Sequence, residues 1–127
     1  MSTLSNANNK LVVGVIGIRN HAKKLIYLFM SSPKISKVLA YHPTKMVSEE
    51  IFEITHSFED LKLCDAIVIS SPTKTHYEYV ERLLDYKGYI FLEKPAVSNL
   101  KEELLFKKLP NHLLSKIYVN YNFLFSE

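Results

Sequence analysis

Leu11-Val12-Val13-Gly14-Val15-Ile16-Gly17 is apolar at every position, with no polar residue interleaved. A strand with one wet face alternates, whereas a strand buried on both faces reads continuously, so this run predicts a central strand of a parallel sheet. Between Asn20 and Ser32, Ala22, Leu25, Ile26 and Phe29 then recur at helical spacing. Ser32-Pro33 ends that helix, because the residue before a proline is driven out of the α region. Val38 to Tyr41 reads as a second short strand closed by His42-Pro43. Residues 44–53 admit one short helix, followed by a weak strand over Glu53 to His56. Ser57-Phe58-Glu59-Asp60 has the capping-box form and predicts a helical turn starting at Ser57.

The second half repeats the theme. Asp65 to Ser71 is another buried strand, stopped by Pro72. Thr75-His76-Tyr77-Glu78 is again a capping box, opening a helix expected to bury Tyr77, Val80, Leu83 and Leu84 and to end at Gly88. Gly88 to Leu92 is a strand that delivers Glu93-Lys94-Pro95 to one edge of the sheet. A helix over Asn99 to Leu109, with Leu100, Leu104 and Leu105 inward, and a last strand over Ile117 to Phe125 complete the chain. Strands and helices alternate, with connections too long for hairpins. The expected fold class is α/β: a Rossmann-like, three-layer domain with a mostly parallel sheet of about six strands. The expected division is a flexible tail over residues 1–10 and one domain over residues 11–127.

Composition narrows the functions available. A chain of 127 residues can bury one real core. The net charge of +3 is spread among acidic residues rather than clustered, which argues against a nucleic-acid binder. The longest apolar stretch near the start, Leu11 to Ile18, is 8 residues, too short to span a membrane. Cys64 is the only cysteine, so an internal disulfide is impossible, which fits a reducing, cytoplasmic setting. Its place at the head of an apolar run predicts packing rather than nucleophilic work. The five histidines are too dispersed to form a ligand-spaced pair, and no metal site is expected.

Four motifs carry candidate chemistry. Gly17-Ile18-Arg19-Asn20-His21-Ala22 follows a strand and opens a helix, as a phosphate-binding dinucleotide loop does. Gly17 permits the tight turn and Ala22 close helix–strand packing, but Arg19 stands where a second glycine would let the backbone approach phosphate. A plain strand–turn–helix junction would use the same Gly17. At the end of the second strand, His42 stands where an acid about 20 residues past the loop would hold the adenosine ribose. His42 or Lys45 could accommodate a 2′-phosphate, or both could be exposed loop residues. Ser70-Ser71-Pro72-Thr73-Lys74-Thr75-His76 puts small, hydroxylated residues at a strand end, where they leave room for a ligand; turn chemistry with a Thr75 cap is the plainer account. Lys94 could stabilise an alkoxide as charge develops, or form an ordinary surface ion pair with little energetic consequence.

Occurring together and in this order, the motifs resemble the cofactor domain of the Gfo/Idh/MocA family, the glucose-fructose oxidoreductase and inositol dehydrogenase-like enzymes. The resemblance covers Leu11 to about Ser126. It is strongest in Ala66 to Thr73 with Thr75-His76, followed by Gly88 to Pro95. It implies NAD or NADP held at the strand ends, with hydride transfer to or from a sugar or polyol hydroxyl. Gly17, Arg19, Asn20 and His21 would match the phosphate loop, and His42 the ribose end. Ser71, Pro72, Thr73 and His76 would lie beside the middle of the cofactor. Glu93 and Lys94 would lie near the nicotinamide, with Lys94 catalytic, and Tyr121-Asn122-Phe123 would match the strand flanking the site, Asn122 included among the cofactor contacts.

The sequence departs from the family pattern at Arg19, at His42, and at Leu124, where relatives often show arginine. Family enzymes also continue into a second domain that builds the substrate pocket. The expectation is that these 127 residues bind cofactor without turnover, the substrate domain being absent. A non-catalytic nucleotide-sensing module and a degenerate Rossmann interaction domain are the alternatives. The aromatic segment Tyr118, Tyr121, Phe123 and Phe125 suggests a possible homodimer.

Overall fold

The structure, a computed structural model, describes residues 10–17, 20–43, 53–93 and 96–119, with only the backbone path at residues 20 and 21. Six strands form one sheet: β1 (Leu11–Ile16), β2 (Ile35–Tyr41), β3 (Glu53–Thr55), β4 (Ala66–Ile69), β5 (Tyr89–Leu92) and β6 (Ile117–Val119). Their order is β3-β2-β1-β4-β5-β6, and every pairing is parallel. The expected sheet was mostly parallel; the observed one is wholly so.

The continuous apolar reading of the central strands has a direct cause. Val13 and Val15 of β1 and Val68 of β4 enter one core, while Ile16, Ile67 and Ile69 enter the other. Successive side chains leave a strand on opposite faces, so a strand with a core on each side can tolerate no polar position. Helix α1 (Asn20–Met30) covers the first core with Ala22, Leu25, Ile26 and Phe29, the spacing read from the sequence. On the other face, α2 (Phe58–Leu61), α3 (His76–Glu81) and α5 (Asn111–Leu114) contribute Leu61, Val80 and Leu113, each fully buried. Cys64 is buried as expected, and burial pushes its thiol up to about 11, far from a nucleophile's range.

Both expected capping boxes form differently. Ser57 precedes α2 but its hydroxyl caps nothing. Thr55, at the end of β3, takes over: its Oγ1 accepts from the Ser57 N–H at 3.0 Å and donates to Asp60 Oδ2 at 2.7 Å. Before α3 the chain makes a single 3-10 turn over Thr73–Thr75, so Thr75 is already helical and cannot cap from an extended backbone. Its hydroxyl donates instead to the Pro72 carbonyl at 2.6 Å and lies 2.7 Å from Ser71 Oγ.

Three leucines expected inside are outside: Leu84, Leu100 and Leu104 are 41%, 68% and 49% exposed. Helix α3 ends at Glu81, so the 3.6-residue phase that would bury Leu84 is lost. Helix α4 (Leu100–Lys107) mixes apolar and charged residues around its circumference and buries none of its residues. A well-made cap holds it instead: Asn99 Oδ1 accepts from the Glu102 N–H at 2.9 Å, and Glu102 Oε1 accepts from the Ser98 N–H at 2.8 Å. The buried anchors of this region are Leu109 and Leu113, and α5 was not foreseen. The possible helix within residues 44–52 and the continuation of the last strand past Val119 lie outside the described residues.

On the α1 side of the sheet, β5 and β6 present an aromatic row. Phe91 stacks on Tyr118 at 5.5 Å, and Tyr89 lies 6.0 Å from Tyr118. Tyr89 and Tyr118 remain about half exposed.

Candidate functional site

The strand order reverses direction between β1 and β4: β1 is followed by a strand on one side, β4 by a strand on the other. In such sheets the crevice outside the carboxyl ends at the reversal is where ligands bind. Main-chain bonds build the rim there by extending four of the parallel ladders one residue past their strands. The Gly17 N–H donates to Tyr41 O at 3.1 Å, Ser70 N–H to Ile16 O at 2.9 Å, Glu93 N–H to Ile69 O at 3.2 Å, and His42 N–H to Thr55 O at 3.2 Å. His42, Gly17, Ser70 and Glu93 therefore stand side by side along one edge.

Gly17 is the residue this rim requires. Its φ is +119°, a region essentially reserved for glycine. A Cβ there would lie 3.2 Å from both the carbonyl carbon and oxygen of Ser70. Beyond Gly17, α1 begins at Asn20 and points its amino end at the same edge with no acidic residue in its first turn. Free N–H groups and the helix dipole there favour an anion.

A cleft of about 150 Å³ opens beside Gly17, walled by His42 and Pro43 on one side and by Ser71, Pro72 and Thr75 on the other. Its size is below the roughly 300–1,000 Å³ of a complete ligand pocket, so these residues form one part of a larger site. Tyr41 and Tyr79 line its floor, backed by Phe58, which stacks on Tyr79 at 5.9 Å and meets Tyr41 edge-on at 5.4 Å. The Arg82 guanidinium sits 3.9 Å over the Phe58 ring and completes this support. Burial pushes the Tyr79 phenol up, so it stays neutral.

The other sequence candidates fall into three groups. Thr73 begins the 3-10 turn above the cleft, and Glu93 sits half-buried at the end of β5. His76 lies behind the wall rather than on it. It is 1% exposed, with Nε2 3.1 Å from the Ser71 carbonyl oxygen and Nδ1 3.1 Å from that of Ala96. Both ring nitrogens are thus engaged by protein, and the ring braces the segment from behind. Arg19, Lys94 and Asn122, and the side chains of Asn20 and His21, lie outside the described residues. Ser70 was passed over as a single site residue. Its Oγ is buried without a hydrogen-bond partner among the described residues, beside the Gly17 turn. Its serine at a strand end was the only signal, and turn serines are common.

Among the described residues no group of three or more His, Cys, Asp or Glu could hold a metal, and no helix is long and apolar enough to cross a membrane.

A doubly wound parallel sheet with a glycine turn and a helix amino end at its switch point defines the nucleotide-binding class of α/β domains. The profile of the Gfo/Idh/MocA group, "oxidoreductase family, NAD-binding Rossmann fold", matches residues 11–112. The chain belongs to this family, whose cofactor is a nicotinamide dinucleotide, NAD or NADP. No curated protein matches it. Among solved structures, one assigned as a myo-inositol dehydrogenase from Sinorhizobium meliloti aligns with a TM-score of 0.73 at 21% identity, over 87% of this chain and 36% of its own. The WlbA dehydrogenase from Chromobacterium violaceum, solved with NADH and UDP-GlcNAcA, aligns with a TM-score of 0.73 at 13% identity, over 90% of this chain and 36% of its own. One assigned as an oxidoreductase from Bacteroides fragilis aligns with a TM-score of 0.69 at 22% identity, over 89% of this chain and 37% of its own. Identities at this level speak for the fold, and the chain spans little more than a third of each of these structures.

The described residues fit a dinucleotide. Gly17 leaves open the space that a Cβ would fill against the Ser70 backbone, beside the cleft its neighbours line.

Proposed function

We propose that these 127 residues are the cofactor-binding part of an NAD(P)-dependent oxidoreductase acting on a sugar or polyol hydroxyl, and that alone they bind the dinucleotide without turning over substrate. The observation that carries the reading is Gly17, held at φ +119° against the Ser70 backbone at the switch point of the sheet. When bound, the nicotinamide supplies the hydride acceptor or donor. The chain's own residues bind and orient it. Gly17, Arg19, Asn20 and His21 form the phosphate turn, and the amino end of α1 meets the negative charge. His42 and Pro43 flank the adenosine end, and the absence of an acid at His42 leaves room for NADP as well as NAD. Ser71, Pro72 and Thr73 form the wall along the middle, with Glu93 at the end of β5, and Asn122 is a further cofactor contact. Lys94 orients the substrate hydroxyl and steadies its developing negative charge.

The sugar-like substrate is supported by the dehydrogenases that share this fold, one assigned to myo-inositol and one solved with UDP-GlcNAcA. The same reading places the protein in the cytoplasm and, through the half-exposed Tyr89 and Tyr118, allows a homodimer, which light scattering would measure. Titration of the chain with NADH and NADPH, by fluorescence or calorimetry, tests the central claim. Saturable binding is expected; no binding at millimolar cofactor refutes it. Sugar-dependent turnover by these residues alone would refute the division of labour.

A further inference from the structure

Among the described residues His76 is the one buried polar or charged side chain, and the use of its ring is unusual. Both nitrogens face main-chain carbonyl oxygens, Ser71 O on the cleft wall and Ala96 O just beyond the Glu93-Lys94-Pro95 segment, each at 3.1 Å. A carbonyl oxygen can only accept. A neutral imidazole has one N–H and one bare lone pair, so it can satisfy one of these carbonyls and must set its lone pair against the other. An imidazolium donates to both. The strand ends bridged this way are those of β4 and β5, which a parallel ladder joins only as far as Glu93 N–H to Ile69 O. Past that bond His76 links the Ser71-Pro72-Thr73 wall to Ala96.

The geometry points to His76 as a positioning residue. By donating from both ring nitrogens it clasps the backbone after β4 to the backbone after β5 and so fixes the cofactor wall at Ser71 against Ala96. The inference rests on the cofactor reading above. The titratable groups on the elements around the ring are Lys101, Glu102, Glu103 and Lys107 on α4, Tyr77, Glu78, Tyr79 and Glu81 on α3, Lys74 in the turn before it, and Glu93 at the end of β5. Glu102 is held below the usual carboxylate range, first by the Ser98 N–H and hydroxyl and in smaller part by the charge of the His76 ring.

Long-range nitrogen–proton NMR of the histidine rings in the 127-residue chain, from about pH 5 to about pH 9, reads this protonation directly. Both His76 nitrogens are expected to carry protons under the conditions where NADH binds best. NADH affinity is expected to fall on the order of tenfold as the second proton leaves, the worth of one charge-assisted hydrogen bond. His76→Gln, which keeps one donor, should lose a similar factor and flatten the pH profile. A ring with one bare nitrogen at every pH where NADH binds overturns the proposal. So does a folded His76→Gln protein with the wild-type affinity and pH profile. The ring spectrum needs no variant, so a His76→Gln chain that fails to fold leaves the decision intact. If the wild-type chain binds no NADH, the cofactor reading fails, while the spectrum still decides whether one ring holds both carbonyls.

Discussion

Replacing Gly17 with alanine tests the strand-end geometry more sharply than any other single change. Two costs combine at that position. A residue with a Cβ held at φ +119° bears conformational strain of about 1–3 kcal/mol. The added methyl also meets the Ser70 carbonyl carbon and oxygen at 3.2 Å, closer than most real Cβ contacts. That neighbour is main chain, anchored by the Ser70 N–H to Ile16 O bond, so it cannot swing aside as a side-chain tip would. Urea unfolding followed by far-ultraviolet circular dichroism should therefore show Gly17→Ala destabilised by about 2–3 kcal/mol with an unchanged slope. A domain stable by about 5–15 kcal/mol remains folded after such a loss, so cofactor titration of the same variant is meaningful. Dinucleotide affinity should drop at least tenfold, because either the turn relaxes or the methyl occupies the approach to Ser70. A loss under about 0.5 kcal/mol, the range of an ordinary surface change, combined with wild-type affinity would refute the argument.

The other expectations concern the scaffold. Leu113→Ala should cost about 2–5 kcal/mol in the same urea assay, because Leu113 is fully buried, whereas Leu100→Ala should change stability by less than about 0.5 kcal/mol. Tyr86→Phe removes a buried bond of 2.6 Å to the Cys64 carbonyl and should cost about 1–3 kcal/mol by leaving that acceptor unsatisfied. Thiol reagents at pH 8 should label Cys64 only after denaturation, since burial holds its pKa up to about 11; rapid native labelling would contradict the packing. The Glu102 carboxyl has a folded pKa below its ordinary 4.5, chiefly through the Ser98 backbone N–H. Its contribution is thus present above that value and lost as pH falls through the lower, folded one, and Glu102→Gln should reduce the steepness of acid unfolding there.

The sequence announced most of the sheet, because β1 and β4 lie between two cores and are apolar at consecutive positions, a pattern few other environments produce. Helix α1 was equally plain, having a single buried stripe. What could not be read were features decided by neighbours distant in sequence. Thr55 rather than Ser57 makes the side-chain bonds at the start of α2 because β3 delivers it there, and Leu84 leaves the core because α3 stops early. At the site, Gly17 was legible from its place after a strand. His76 read as a helix-opening residue and a cofactor-contact candidate, and nothing local said that its ring would be enclosed by a carbonyl 5 residues before it and another 20 after it.

The rim of the cleft owes its shape to amide groups. Strands β1, β2, β4 and β5 each carry the ladder one residue past their end, and it is these bonds that align Gly17, His42, Ser70 and Glu93. Side chains along such an edge can drift through many identities without moving the atoms that define it, provided the one glycine stays. Divergence of this kind preserves shape while erasing spelling, which accounts for a TM-score of 0.73 surviving at 13% identity. The register beneath that edge is held by main chain, so it stays fixed while residues above it change.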